Sequence, residues 1–156
     1  MTYVISKNSQ VVDQIINDPS VRPFVGGLGS GEITVANLFA SGAFAVLAQE
    51  KILNKKGRTE SLKYHGGAVL IPDGKGGLEA HTFALPSGRG GKVSQACDAV
   101  SHDLLKEDFN RIYGYTPVEN EIACKFNEKI GFKKRKAVTK DLGDGPKEYF
   151  LYSRTN

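Results

Sequence analysis

Two asparagines, Asn120 and Asn127, stand seven positions apart in "ENEIACKFNEKIGF", residues 119–132. In a helix that spacing is nearly two turns, so both amides project from almost the same line, roughly 20° apart. Asparagine is a poor helix former, and its amide both donates and accepts hydrogen bonds, so the pair marks a side of the helix where polar contacts are wanted. Other chemically suggestive residues sort less favourably. Ser87 adjoins a glycine in a turn, but no G-x-S-x-G elbow surrounds it, which argues against a serine hydrolase. "SGRGGKVS" does not satisfy G-x-x-x-x-G-K-[ST], so nucleoside triphosphate hydrolysis is unsupported. His65 and His102 lack metal-ligand spacing and read as ordinary polar residues, and no metal site is expected. Cys97 falls in an apolar helical stripe, and nothing near Cys124 in sequence would activate its thiol.

The elements that must position these residues follow from periodicity and punctuation. "TYVI" reads as a short strand and "NSQVVDQIIND" as a helix with Val11, Val12, Ile15 and Ile16 on its apolar side, stopped before Pro19. Residues 20–42 fit no single pattern. "AFAVLAQ" (43–49) and "GAVLIP" (67–72) read as buried strands, and "PDGKGG" as a hairpin turn into the strand "LEAHTFAL" (78–85), whose alternation puts Glu79, His81 and Phe83 on one face. A glycine turn then leads directly into a helix carrying Val93, Ala96, Cys97, Val100 and Leu104 at helical spacing.

After the strand "RIYGY" (111–115), "TPVE" has the grammar of a helix start, with Thr116 as N-cap, Pro117 in the first turn and Glu119 closing a capping box. Val118, Ile122, Phe126 and Ile130 would form that helix's core stripe, with Gly131 ending it. The final segment predicts an antiparallel ribbon through "GDGP". Such an order predicts an α+β chain with a mostly antiparallel sheet and one parallel crossover.

A chain of 156 residues fits one domain over 1–156, with enough length to bury a core without covalent staples. Its two cysteines form no spaced framework and no cleavable signal is visible, so a cytoplasmic location is expected. The longest apolar run is broken by Asn37, Ser41, Gln49 and Glu50, and no membrane span is expected. A net charge of +4 mildly favours anionic partners. The clusters "NKKGR" (54–58) and "KKRK" (133–136) could contact nucleic acid, although lysines on an outer strand also serve to blunt edge pairing.

Two stretches in this order, "LPSGRGGKVSQA" and "NEIACKFNEKIGF", together resemble the GNAT superfamily of acetyl-CoA-dependent N-acetyltransferases. The second matches a common pattern of that superfamily at Asn120, Ala123, Phe126, Gly131 and Phe132. The resemblance implies a GNAT-like fold in which a parallel strand pair, here 78–85 and 111–115, splays apart to admit acetyl-CoA as co-substrate. It implies that Leu85, Arg89, Gly90, Gly91, Lys92, Val93 and Ser94 surround the cofactor's pyrophosphate, which backbone N–H groups at a helix start would hold, with Asn120 and Asn127 on the pantetheine side. Glu79 and His81 become the candidates for a general base that deprotonates an amine, directly or through water.

The sequence departs from the superfamily pattern at two points. Lys92 and Ser94 occupy loop positions where small residues are usual, and Asn127 replaces a tyrosine that protonates the departing thiolate in many members. Asn120 also suits a capping duty that needs no cofactor. The chain resembles, further, the small GNAT-like proteins of tailed bacteriophages. That likeness implies a non-catalytic module for head assembly or the virion interior, partnered by phage structural proteins instead of an amine-bearing small molecule or protein acceptor.

Overall fold

The computed structural model describes residues 2–26, 28, 31–141 and 145–156. Its elements run β1 (Thr2–Ser6), α1 (Ser9–Ile16), α2 (Ala36–Ala40), β2 (Phe44–Leu53), β3 (Thr59–Pro72), β4 (Gly77–Ala84), α3 (Lys92–Glu107), β5 (Arg111–Pro117), α4 (Glu121–Lys129), β6 (Lys133–Asp141) and β7 (Pro146–Thr155). The strands form one mixed sheet in the order β1-β2-β3-β4-β5-β7-β6, parallel between β4 and β5 and antiparallel at the other described pairings. The α+β class and the element order expected from the sequence are both present.

Strand alternation sorts apolar residues onto two sides. On one, Ala68, Leu70, Leu78 and Ile112 meet the stripe of α3, in which Val93, Ala96, Cys97, Val100 and Leu104 are all buried. On the other, Ala45, Leu47, Val69 and Phe83 meet Val12, Ile15 and Ile16 of α1 and Phe39 of α2. Each large aliphatic side chain so removed from water stabilises the fold by about 1.5–3 kcal/mol. Burial also pushes the Cys97 thiol pKa up to about 12, which leaves it inert as a nucleophile.

The unpatterned segment after α1 is held by polar side chains more than by periodicity. The Asn17 amide donates to the Ile33 carbonyl at 2.7 Å and accepts from the Ile33 N–H at 2.7 Å, while Asp13 accepts from the Val35 N–H at 2.8 Å. These bonds seat Val21, Val25, Ile33 and Val35 in the α1-side core. Residues 27, 29 and 30 of the glycine run, and residues 142–144 of the expected "GDGP" turn region, lie outside the described residues.

Two elements differ from their sequence patterns. β5 continues through Thr116 and Pro117, paired with β7 as far as Pro117↔Tyr149, so α4 starts at Glu121 with Asn120 as its N-cap in place of Thr116. The expected stripe fails at Ile122, which is 84% exposed; α4 reaches the core through Cys124, Phe126 and the following Ile130. Secondly, β2 and β3 run on past their apolar cores to Leu53 and Thr59, so "NKKGR" is the tip of a long hairpin. Charged residues conceal such a projecting ladder, because nothing packs on either face to impose alternation.

Candidate functional site

β4 and β5 pair at Gly77↔Arg111, Leu78↔Ile112 and Glu79↔Tyr113, and beyond those residues the two strands no longer bond to one another. Each keeps its outer neighbour: β4 stays on β3 as far as Ala84, and β5 stays on β7 as far as Pro117. The inner edges therefore separate inside an otherwise continuous sheet. The opening is a cleft of about 490 Å³ walled by Ala80, His81 and Thr82 of β4, Gly114 to Pro117 of β5, Asn120, Ala123 and Asn127 of α4, and Tyr149 and Tyr152 of β7, with residues 23–26 at its rim.

The two asparagines both reach this cleft, and both have structural partners. Asn120 Oδ1 accepts from the Ala123 N–H at 3.1 Å, which caps α4. The Asn127 amide donates to the buried Thr116 hydroxyl at 2.8 Å, fastening α4 to the parted end of β5. Asparagine thus ties helix to strand where the superfamily pattern has a phenol, and it has no proton to give as a general acid. A phenol is present nearby on a different element. Tyr152 lines the cleft at 1% exposure, and its buried hydroxyl has no hydrogen-bond partner among the described residues. Burial, followed by the facing Cys124 thiol, pushes the Tyr152 pKa up to about 12.

The helix start expected to hold phosphates opens on two glycines. Gly90 and Gly91 adopt φ of 90° and 128°, conformations that side-chain-bearing residues rarely adopt, and Gly91 precedes α3 with no side chain capping it. The main-chain N–H groups of Gly90, Gly91, Lys92, Val93 and Ser94 have no acceptor among the described residues. The Arg89 N–H differs, because it bonds the Pro86 carbonyl at 3.3 Å within a 3-10 turn. The Arg89 guanidinium turns to the N-terminal segment, donating to the Ser20 carbonyl at 2.7 Å with Phe24 beside it. The Lys92 ammonium leans to Glu50 at 3.7 Å. Lys129 of α4 also comes here, its Nζ 3.8 Å from where a Gly91 Cβ would lie. Residues 85–94 do not line the 490 Å³ opening itself.

Glu79 and His81 are 3.3 Å apart and share the α1-side face of β4, but they are placed differently. His81 lines the cleft, whereas Glu79 sits at the last closed rung opposite Tyr113. The hydrogen bond from His81, opposed by burial, holds the Glu79 carboxyl below its usual range, so it is ionised at neutral pH. His81 Nδ1 lies 3.1 Å from the Gly26 carbonyl, so acceptors face both ring nitrogens and a neutral ring can donate to one of them.

Sequence reasoning missed the contribution of β7, whose Tyr149 and Tyr152 belong to a ribbon with no site signature, and missed Lys129, which reads as a solvated helix lysine. Among the described residues no group of three or more His, Cys, Asp or Glu forms a metal-ligand set, and no helix is long and apolar enough to cross a membrane.

Several solved structures with the same fold are acetyltransferases. A chimeric spermidine N-acetyltransferase from Vibrio cholerae superposes with a TM-score of 0.65 at 12% identity, covering 99% of this chain and 96% of that one. A GNAT-family acetyltransferase from Bacillus anthracis superposes with a TM-score of 0.57 at 21% identity over 78% of this chain and 70% of its own. A ribosomal L7/L12 α-N-protein acetyltransferase in complex with coenzyme A gives 0.57 at 15% identity over 76% of this chain and 66% of its own. No family model and no curated protein sequence matches the chain. At these identities the likeness defines the fold: this is the GNAT acetyltransferase fold, with its parallel pair at β4 and β5.

Proposed function

We propose that the protein is an N-acyltransferase that passes an acetyl group from acetyl-CoA directly to an amine. The observation that carries this reading is the parted strand pair beside a helix start whose consecutive N–H groups are unbonded. A helix N-terminus with free donors and glycine at close approach suits a pyrophosphate. Gly90, Gly91, Lys92, Val93 and Ser94 would supply those donors, with Lys92 and Lys129 adding positive charge, and Leu85 and Arg89 framing the loop. Acetyl-CoA supplies a thioester carbonyl already activated towards amines. Asn120 and Asn127 would meet its pantetheine portion.

His81 or the ionised Glu79 beside it would take the amine proton, directly or through water. With Asn127 committed to Thr116, the Tyr152 hydroxyl, buried beside the cleft next to Cys124, would donate a hydrogen bond to the departing sulfur if the bound cofactor reaches it. The acceptor class is an amine on a small molecule or a protein. The competing reading is a non-catalytic module, such as a phage head-assembly or virion protein, and the observation favouring it is that same commitment of Asn127.

The test is cofactor binding. Millimolar acetyl-CoA should raise the melting temperature, since ligand at 100-fold its Kd adds about 2.7 kcal/mol. Asn120→Ala should weaken the shift and Lys92→Gly should leave one measurable. No shift for the unaltered protein would favour the interaction module. Steeply salt-dependent binding of an oligonucleotide would instead point to a nucleic-acid partner through the basic clusters.

A further inference from the structure

A second constellation lies apart from the cleft. β2 and β3 slip register between Ala48↔Gly66 and Gln49↔Tyr64, leaving His65 as the extra residue of a bulge. Bulges re-aim side chains, and this one brings an imidazole that is 0% exposed to the turn before α3. The exposed Ser87 hydroxyl sits 2.8 Å from His65 Nδ1. On the opposite side of the ring, His65 Nε2 lies 3.3 Å from Glu50 Oε1. The turn is pressed onto the bulge: a Cβ at Gly88 would stand 2.1 Å from the His65 carbonyl oxygen, so glycine alone permits this approach.

The protons in this chain are ordered by chemistry. Hydrogen bonding from His65, aided by the Lys92 charge, holds the Glu50 carboxyl below its usual range, so Glu50 is an ionised acceptor. A neutral His65 facing that carboxylate carries its proton on Nε2, which leaves Nδ1 with a lone pair towards the Ser87 O–H. A hydroxyl bonded to an imidazole that a carboxylate orients is the arrangement that activates a serine. The ring is used in the opposite sense from the familiar triad, and the G-x-S-x-G elbow is absent, because a bulge and a 3-10 turn perform the positioning instead.

We propose that Ser87 is a nucleophile, with His65 as its base and Glu50 as the group that orients His65, forming an esterase site for small activated acyl esters. Ser87 Oγ attacks the ester carbonyl while its proton passes to His65 Nδ1. The tetrahedral adduct collapses with cleavage of the bond to the leaving alcohol or phenol, which takes the proton from Nδ1. Water, deprotonated by His65, then cleaves the acyl-serine to release the carboxylic acid and restore Ser87. The Gly88 and Arg89 N–H groups are already bonded within the turn, so donors for the oxyanion come from Gly90 onwards. None of these steps uses the cleft or a cofactor, but the site shares the N–H groups from Gly90 onwards, and Lys92, with the proposed pyrophosphate loop; covalent labelling, which needs no acetyl-CoA, separates the two readings.

The experiment is covalent labelling of the intact protein with an alkyl fluorophosphonate, in which Ser87 Oγ displaces fluoride from phosphorus. The expected result is one phosphonyl adduct that peptide mass mapping places on Ser87 and that Ser87→Ala lacks. Glu50→Gln, a change on a partly exposed side chain, should slow labelling about tenfold or more, and His65→Gln about a hundredfold or more, provided its melting temperature shows it folded. Hydrolysis of p-nitrophenyl acetate should fall in the same order. An unlabelled wild-type protein, an adduct on another residue, or wild-type labelling rates in Glu50→Gln would each overturn the proposal.

Discussion

The two ends of the β4–β5 pair are built from different materials. At the closed end, Asp73 accepts from the Lys75 and Gly77 N–H groups at 2.7 and 3.0 Å and from the Tyr113 hydroxyl at 3.3 Å, and the Asn110 N–H bonds the Gly76 carbonyl at 2.9 Å. Leu78 and Ile112 fill the space beneath at 0% and 2% exposure. At the open end the strands carry Gly114 and the tethered Thr116, and the wall opposite is α4, a helix with no fully buried residue. The parallel pair is thus locked at its root by turn bonds and core burial, while at its tip β5 is tied to α4 by the Asn127–Thr116 hydrogen bond. The difference shows that an opening in a sheet needs an anchored end as much as a parted one.

The largest expected effect tests the anchor. Leu78→Ala should cost about 2–5 kcal/mol in urea unfolding, because it deletes a core side chain that α3 covers. Asn127→Ala should cost less, about 1–3 kcal/mol, by leaving the buried Thr116 hydroxyl without its donor. It should also widen the parted end, seen as faster amide exchange in α4 while β4 near Leu78 keeps its protection. Asn120→Ala removes the cap alone and should cost about 1 kcal/mol.

Acid sharpens the same contrast. The Asp73 carboxyl is held below its usual range, first by the Lys75 N–H and then by the Gly77 N–H. Its ionised form is the one the fold favours, so its contribution is complete above the ordinary carboxylate range and fades as pH falls through the lowered value. Unfolding midpoints of Asp73→Asn at pH 7 and pH 3 should therefore differ less than those of the unaltered protein. The smallest effect belongs to Ile122→Ser, which should stay within about 0.5 kcal/mol at this exposed position of α4. A larger loss would mean that α4 is gripped along its whole length.

How legible the site was depended on the kind of signal each residue leaves. The α3 stripe, the hairpin before β4 and the glycine turn before α3 are written in local periodicity and turn chemistry, and all three are present in the structure. Thr116 and Pro117 carry a sound capping signature, yet pairing with β7 holds them in a strand, and Asn120 takes the cap. Tertiary pairing overrode a local preference worth about 1 kcal/mol. Tyr152 and Lys129 enter the cleft and the helix start from elements with no site motif. His65 and Ser87, 22 positions apart, meet because of a bulge that no residue type announces.

Outside residues 20–42 the sequence by itself determined the order of strands and helices, together with the apolar stripe of α3 and the glycines at its start, since these rest on local periodicity and turn chemistry. Only the tertiary structure decided where the parallel pair parts, which tyrosines line the opening and which hydroxyl meets an imidazole. Those outcomes depend on pairings between distant strands, where a one-residue slip reassigns every side chain that follows.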